Sequence, residues 1–230
     1  MASSFLLELD TTAPGSPAVS INSGATFTID DDVTLGISTS DGDTTGYSMK
    51  IYGDVDDSFA TSEYRASEAN APWITFNGTK SVRLSATDGS KTVRVKIRDD
   101  VNNVSSEATD SITLDTTAPQ VTVTSGPTPN TISKQTGKRT STFDWQADAA
   151  FEAYKIKVVT NASDAHTAGT QIPTTAGSTN MSGSAGGYPA TTPITSTIDG
   201  ADLETASAGD GNKRVKVFVQ DAAGNWSINS

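Results

Sequence analysis

The residues best placed to do chemistry are carboxylates. Asp30-Asp31-Asp32, Asp41-Gly42-Asp43 and Asp54-Val55-Asp56-Asp57 concentrate hard oxygen ligands of the kind calcium takes. Measured against an EF-hand loop, the stretch from Asp41 has Asp43 at its third position and Gly46 at its sixth, but Tyr52 where the bidentate Glu should stand. The stretch from Asp54 fails at both the Gly and the Glu. Asp side chains in such runs more often close turns by accepting from the backbone two residues on. No metal or other cofactor is expected, calcium being the one ion these loops bring into question. His166 is the only histidine and there is no cysteine, so neither a Ser-His-Asp triad nor a Cys-His pair has support. His166 falls in a Ser/Thr/Gly-rich stretch and is expected to be an exposed, idle loop residue. Paired carboxylates about 5 to 9.5 Å apart could hydrolyse a glycoside, but nothing in the sequence predicts the cleft they need. No catalytic residue is assigned, and the chain is read as a non-enzyme.

The basic residues carry more pattern. Lys50 alternates with Met49 and Ile51, and Arg94, Lys96 and Arg98 alternate with Val93, Val95 and Ile97. In the second half Lys155 and Lys157 stand opposite Arg214 and Lys216 in the same way. If the strands that carry them are sheet neighbours, these eight residues, half of the chain's 16 Lys and Arg, share the outer faces of two equivalent sheets. Two readings follow: the stems cover apolar surface while acidic neighbours pair with the heads, or the face docks on an acidic surface such as a neighbouring copy of the chain. Tyr188, in a long loop, is a further candidate contact.

Positioning these residues calls for strands. Period-two alternation at Val33, Leu35 and Ile37, at Tyr47, Met49 and Ile51, at Val82 and Leu84, at Val93, Val95 and Ile97 and at Ile112 and Leu114 gives one apolar face to each run. Asp41-Gly42, Asn77-Gly78 and Asp88-Gly89 punctuate the runs as turns. Thr, Ser and Val dominate a chain with 19 Gly and 9 Pro, and sustained 3.6-residue patterns are scarce. Without cysteine, packing alone must hold the cores.

An internal repeat divides the 230 residues. Leu9-Asp10-Thr11-Thr12-Ala13-Pro14 recurs as Leu114-Asp115-Thr116-Thr117-Ala118-Pro119, and Asp88 to Asp99 is echoed by Asp210 to Asp221. The first pair lies 105 residues apart and the second 122, so the second half holds a net insertion. Domains are expected at 1–114 and 115–230. The second has a long Ser/Thr/Gly-rich segment over 160–211, in which Ile194 to Ile198 is the strand candidate and Gly183 to Pro189 an extended loop.

These motifs, with Asp221-Ala222-Ala223-Gly224-Asn225-Trp226-Ser227 at the end, resemble the tandem immunoglobulin-like repeats of bacterial surface and bacteriophage virion proteins. Phe143-Asp144-Trp145 followed by Tyr154-Lys155-Ile156-Lys157-Val158 is similar to a fibronectin type III domain. The resemblance implies an all-β chain of two tandem antiparallel sandwiches, immunoglobulin-like or fibronectin type III-like. It further implies adhesion, spacing or decoration rather than catalysis.

The net charge of −11 argues against nucleic acid as a partner, since phosphate binding needs a cationic surplus. Residues 1–114 hold 8 basic and 17 acidic side chains and residues 115–230 hold 8 and 10, so the acidity belongs to the first domain. No apolar run approaches the roughly 20 residues that span a bilayer, and the N-terminus has no basic segment ahead of a long apolar one. The expectation is synthesis in a host cytoplasm without a signal peptide and residence on a virion, attached to capsid or tail proteins. The alternative is a fragment of a bacterial surface adhesin whose partner is a cell surface or glycan. Self-association is open to either. Phe5-Leu6-Leu7-Glu8-Leu9 is apolar enough to need covering, as the first strand of domain one or, alternatively, as a strand added to a partner's sheet edge.

Overall fold

Each apolar face identified above is buried by a second sheet. The computed structural model describes residues 4–58, 63–172 and 187–228, and the chain divides into two units, Met1–Asp115 and Thr116–Ser230. Both are antiparallel β-sandwiches, and the described residues are all-β apart from one short helix.

In the first unit, one sheet orders β1 (Ala18–Ile21), β3 (Asp32–Ser38) and β7 (Thr79–Arg83). The other runs from β2 (Phe27–Thr28) through β9 (Ala108–Leu114), β8 (Gly89–Arg98) and β4 (Ser48–Gly53) to β5 (Tyr64–Arg65), with β6 (Ile74–Thr75) also on β4. β2 and β9 are parallel, joined by Thr113 N–H to Thr26 O and Asp115 N–H to Thr28 O, each 3.0 Å. Ile21, Leu35, Met49, Ile51, Val95 and Ile97 are fully buried between the sheets. The alternation of β8 is complete, with Val93, Val95 and Ile97 inward and Arg94, Lys96 and Arg98 outward and partly exposed. Gly53 ends β4 at φ +124°, where a Cβ would lie 2.3 Å from Thr92 O, so only glycine fits.

In the second unit β10 (Val121–Thr128), β11 (Thr140–Ala147) and β14 (Ile194–Asp199) form one sheet. β13 (Thr170–Gln171), β12 (Ala153–Val159) and β15 (Arg214–Gln220) form the other. Trp145 is fully buried, donates Nε1–H to Ser196 Oγ at 3.0 Å and packs edge-on to Tyr154 with ring centroids 5.1 Å apart, the kind of pair that adds about 0.5–1.5 kcal/mol beyond area burial. The strand expected at Ile194 to Ile198 is β14. The segment read as loop to residue 211 instead holds a helix, α1 (Gly200–Ala206), capped by the Asp199 side chain accepting from Ala201 N–H at 2.7 Å. Residues 183–186 of the expected loop lie outside the described residues.

The same turn follows β8 and β15. The Asp99 carboxylate accepts from Asn103 N–H at 2.7 Å and Asn103 Nδ2 at 2.9 Å, and Asp221 accepts from Asn225 N–H at 2.8 Å and Asn225 Nδ2 at 3.0 Å. Ser105 Oγ then accepts from Ile97 N–H at 3.0 Å, and Ser227 Oγ from Val219 N–H at 3.1 Å. Thus 122 residues separate equivalent atoms in the two copies.

The apolar segment at Phe5 to Leu9 departs from expectation. It belongs to no strand, and Phe5, Leu7 and Leu9 are 87%, 86% and 85% exposed. The first strand is β1, because the chain enters the sheet only after Pro17, where Val19 and Ile21 supply the inward face.

Candidate interaction faces

β4 and β8 pair antiparallel with Lys50 opposite Lys96, Ser48 opposite Arg98 and Tyr52 opposite Arg94, which gathers the four basic residues of the first unit on one outer face. Two cations directly opposite repel, and acids from flanking segments offset this. Lys96 Nζ lies 2.8 Å from Glu68 Oε1, and Lys50 Nζ donates to Glu68 O at 3.2 Å. Arg94 Nε is 3.5 Å from Glu107 Oε1, whose other oxygen accepts from Tyr52 Oη. The ammonium of Lys96, by hydrogen bond first, holds the Glu68 carboxyl below its usual range. Burial and then Glu107 raise the Tyr52 phenol. Over the same face lies Trp73, with Arg98 Cζ 4.5 Å and Lys50 Nζ 5.1 Å from its ring centroid, within cation–π range. Alternation located the four bases but gave no sign of Trp73, which comes from the connection ahead of β6.

The second unit corrects the expected symmetry. Lys157 and Lys216 are opposite each other on β12 and β15, but they are only 7% and 4% exposed. The loop 160–169 folds over them. Lys157 Nζ donates to His166 O at 2.8 Å, and Lys216 Nζ to Ala162 O at 2.7 Å and Asp164 O at 3.0 Å. Carbonyl dipoles take the place of carboxylates, and burial, then Lys155, pushes the Lys157 ammonium below its usual pKa. Gly169 returns the loop to β13 at φ +68°, with no room for a Cβ beside Val158 O. Lys155 Nζ stands 4.2 Å from the Trp226 centroid, and Arg214 alone of the four is exposed. Among the described residues the basic outer face is therefore partly exposed on the first unit and largely covered on the second.

Tyr188 and His166 are also corrected. Tyr188 packs on the second unit's aromatic cluster: its ring stacks on Phe151 at 4.7 Å and 12°, and the two residues exchange backbone hydrogen bonds of 2.8 and 3.0 Å. An aromatic ring beside the Trp145, Phe151 and Tyr154 cluster gains more from packing than from water. His166 is half-buried and stacked on Trp226 at 4.6 Å and 8°. Its Nδ1 is buried without a hydrogen-bond partner among the described residues. Burial first, then the Lys155 and Lys157 charges, lower its pKa.

The acid-rich loops are occupied with structure. Asp31 Oδ2 lies 2.9 Å from Arg83 Nε, and Asp30 Oδ1 accepts from Asp32 N–H at 3.0 Å. The three carboxylates of Asp30, Asp31 and Asp32 approach within 4.8 Å of one another, but Arg83 supplies the countercharge. Asp41 accepts from Gly15 N–H at 3.1 Å and Tyr47 Oη at 3.0 Å, and Asp54 accepts from Thr92 N–H at 2.9 Å. These contacts staple loops to strands, and Asp43 and Asp56 close turns on Thr45 and Ser58.

No family model and no curated protein matches the chain. Among solved structures it is similar to the fibronectin(III)-like modules of Clostridium thermocellum CbhA, at 12% identity over 92% of this chain and 90% of that one, with a TM-score of 0.45. It is also similar to the FN1–FN3 domains of chicken CNTN1, at 12% identity over 96% of this chain and 64% of that one, with a TM-score of 0.40.

Proposed function

We propose that the chain is a non-enzymatic structural and adhesive module that presents the outer β4–β8 face of its first unit to a partner. The observation that carries this is the partly exposed face itself, where Lys50 and Arg98 both lie over the ring of Trp73 and Arg94 and Lys96 share the same strand face. A basic strand face carrying a tryptophan suits an acidic protein surface or an anionic glycan, by charge and apolar contact together. Turn formation and the Arg83 pair account for the carboxylates that could otherwise have suggested metal or hydrolytic chemistry.

The place of work is a bacteriophage virion, with the module attached to capsid or tail as an accessory subunit. Support comes from the Leu-Asp-Thr-Thr-Ala-Pro joins and the Asp-Ala-Ala-Gly-Asn-Trp turn, which resemble repeats of such proteins. Mass spectrometry of purified particles, cell envelope and soluble fraction from a lysed producing culture tests it. Enrichment in particles is the expected result, and enrichment in the envelope replaces this reading with a bacterial surface adhesin. A Trp73→Ala, Arg98→Glu variant tests the face: it should lose attachment while keeping its far-ultraviolet circular dichroism.

A further inference from the structure

The loop 160–169 that covers the basic face of the second unit is held down by few contacts. It joins β12 to β13, and within it only Asp164, His166 and Ala168 are not exposed. It carries no large aliphatic side chain, and His166 is its one aromatic residue. Its ends are fixed, because β13 pairs with β12 and Ile172 N–H donates to Ile156 O at 2.9 Å. Between those ends Asp164 N–H donates to Asn161 O and Ala168 N–H to Ala165 O, bonds that lie within the loop. The sheet holds it through the Lys157 and Lys216 ammonium groups on its carbonyls and through the His166 ring on Trp226. Beneath the cover Lys157 and Lys216 stand directly opposite each other, and Lys155 Nζ lies over the same Trp226 ring.

The site suits a neutral imidazole and not an imidazolium. His166 Nδ1 is buried with no hydrogen-bond partner among the described residues, so a second ring proton would leave a charged donor without an acceptor. The charged groups on the elements packed here are Lys155 and Lys157 of β12, Arg214 and Lys216 of β15, Asp164 of the loop and Asp221 ahead of Trp226. Both acids are engaged elsewhere. Asp164 Oδ2 accepts from Asn161 N–H at 2.8 Å and Thr160 N–H at 2.9 Å, and these bonds, Asn161 first, hold its carboxyl below the usual range. It therefore stays ionised in mild acid. Asp221 Oδ1 accepts from Gly224 and Asn225 N–H, each at 2.8 Å. Protonating His166 would thus add a cation among cations, on an indole that already carries the Lys155 ammonium.

We propose that His166 is the latch of an acid-operated cover: its protonation releases loop 160–169 and uncovers Lys155, Lys157, Lys216 and Trp226 as a second basic face. The uncovered face has the make-up of the first unit's, an opposed lysine pair with a tryptophan under a neighbouring cation. Opening breaks the ring stack and the three ammonium–carbonyl bonds and leaves the β12–β13 and β12–β15 ladders whole, so it needs far less free energy than unfolding the unit. The freed ammonium groups exchange carbonyl oxygens for water, and mutual repulsion of the opposed Lys157 and Lys216 favours their exposure. Histidine is the side chain whose ordinary pKa puts this change near neutral pH. The device does not depend on the first unit's face, which needs no change of pH to be presented.

Acylation of lysines in the full chain at pH 7.5 and 5.5, mapped by mass spectrometry, reads the cover directly. Labelling of Lys157 and Lys216 is scored against the exposed Lys138 of the same unit, which corrects for the lower reactivity of amines in acid. Amide hydrogen exchange of β12 and β15 in the same samples reports whether the sheet stays intact. Relative labelling of the two lysines should rise on going to pH 5.5 by up to about tenfold, the limit for a histidine of open-state pKa near 6.5 that is neutral when docked. His166→Phe keeps a flat ring on Trp226 and should abolish the rise. His166→Ala removes the latch and should give the high labelling already at pH 7.5. Labelling that does not change with pH, a rise that persists in His166→Phe, a His166→Ala chain that stays covered, or loss of β12 and β15 protection together with the rise overturns the proposal.

Discussion

Truncating two inward residues on equivalent edge strands, Ile21→Ala and Val123→Ala, separates a fully buried side chain from a half-exposed one. Ile21 is fully buried, and an Ile→Ala change at such a site costs about 2–5 kcal/mol, for lost transfer energy plus the cavity. Val123 faces the same way but keeps 51% of its surface in solvent. Removing two methyl groups at about 0.8 kcal/mol each would cost about 1.6 kcal/mol if buried, so with half that burial the cost is about 0.8 kcal/mol. Urea unfolding at low protein concentration supplies the assay, because Trp73 reports on the first unit and Trp145 and Trp226 on the second. With an m-value of about 2 kcal/mol/M, Ile21→Ala should lower the first unit's midpoint by about 1–2.5 M. Val123→Ala should lower the second unit's midpoint by about 0.4 M. Equal shifts would refute the reasoning that the half-exposed Val123 side chain gains about half the burial of a core residue.

Other consequences can be measured on the same material. Asp199→Ala removes the α1 cap and the partner of Arg139, whose Nε lies 2.5 Å from Asp199 Oδ2; the second unit should lose about 1–2 kcal/mol in a denaturant titration, as for other lost N-caps. His166 has a folded-state pKa below its unfolded value near 6.5, so the unfolded chain binds the proton more readily. Stability of the second unit should be full above that pH and fall as pH drops through 6.5 toward the folded value, and a His166→Phe variant should flatten this slope in calorimetric melts between pH 7.5 and 5.5. The Tyr47 phenol, pushed up to about 12 by burial and by Asp41, should titrate later than a free tyrosine in ultraviolet difference spectra, and Asp41→Asn should bring it down.

How far the sequence revealed all this varied with element length and with what covers a face. β3, β4, β8 and β9 were readable because at least two or three alternating apolar residues in each meet one core, and Trp145 with Tyr154 marked the core of the second unit. β2, β5, β6 and β13 are two residues long and carry no period. α1 was missed because seven residues make barely two turns, although Asp199 ahead of Gly200-Ala201-Asp202 has the composition of a cap. Alternation showed on which side Lys157 and Lys216 emerge, but no local pattern says that the loop 160–169 will lie over them. Neither the contact of Trp73 with Lys50 and Arg98 nor that of Trp226 with Lys155 has a local pattern, because each ring reaches its cation from a connection outside the strand that carries it. The hydrophobicity of Phe5 to Leu9 asks for cover, as a first strand of the first unit or on a partner's edge, and the first of these is not what the structure shows.

The parallel pairing of β2 with β9 has a mechanical consequence. β2 lies near the start of the first unit and β9 at its end, so tension applied at the two ends pulls these strands in opposite directions along their own axes. The bonds from Thr113 to Thr26 and from Asp115 to Thr28 then bear the load together, in shear, instead of parting one after another as in a peeled hairpin. Tension passing from the N-terminal side meets the β1–β3 ladder first, and where it reaches β2 it meets a pair that must be sheared rather than peeled.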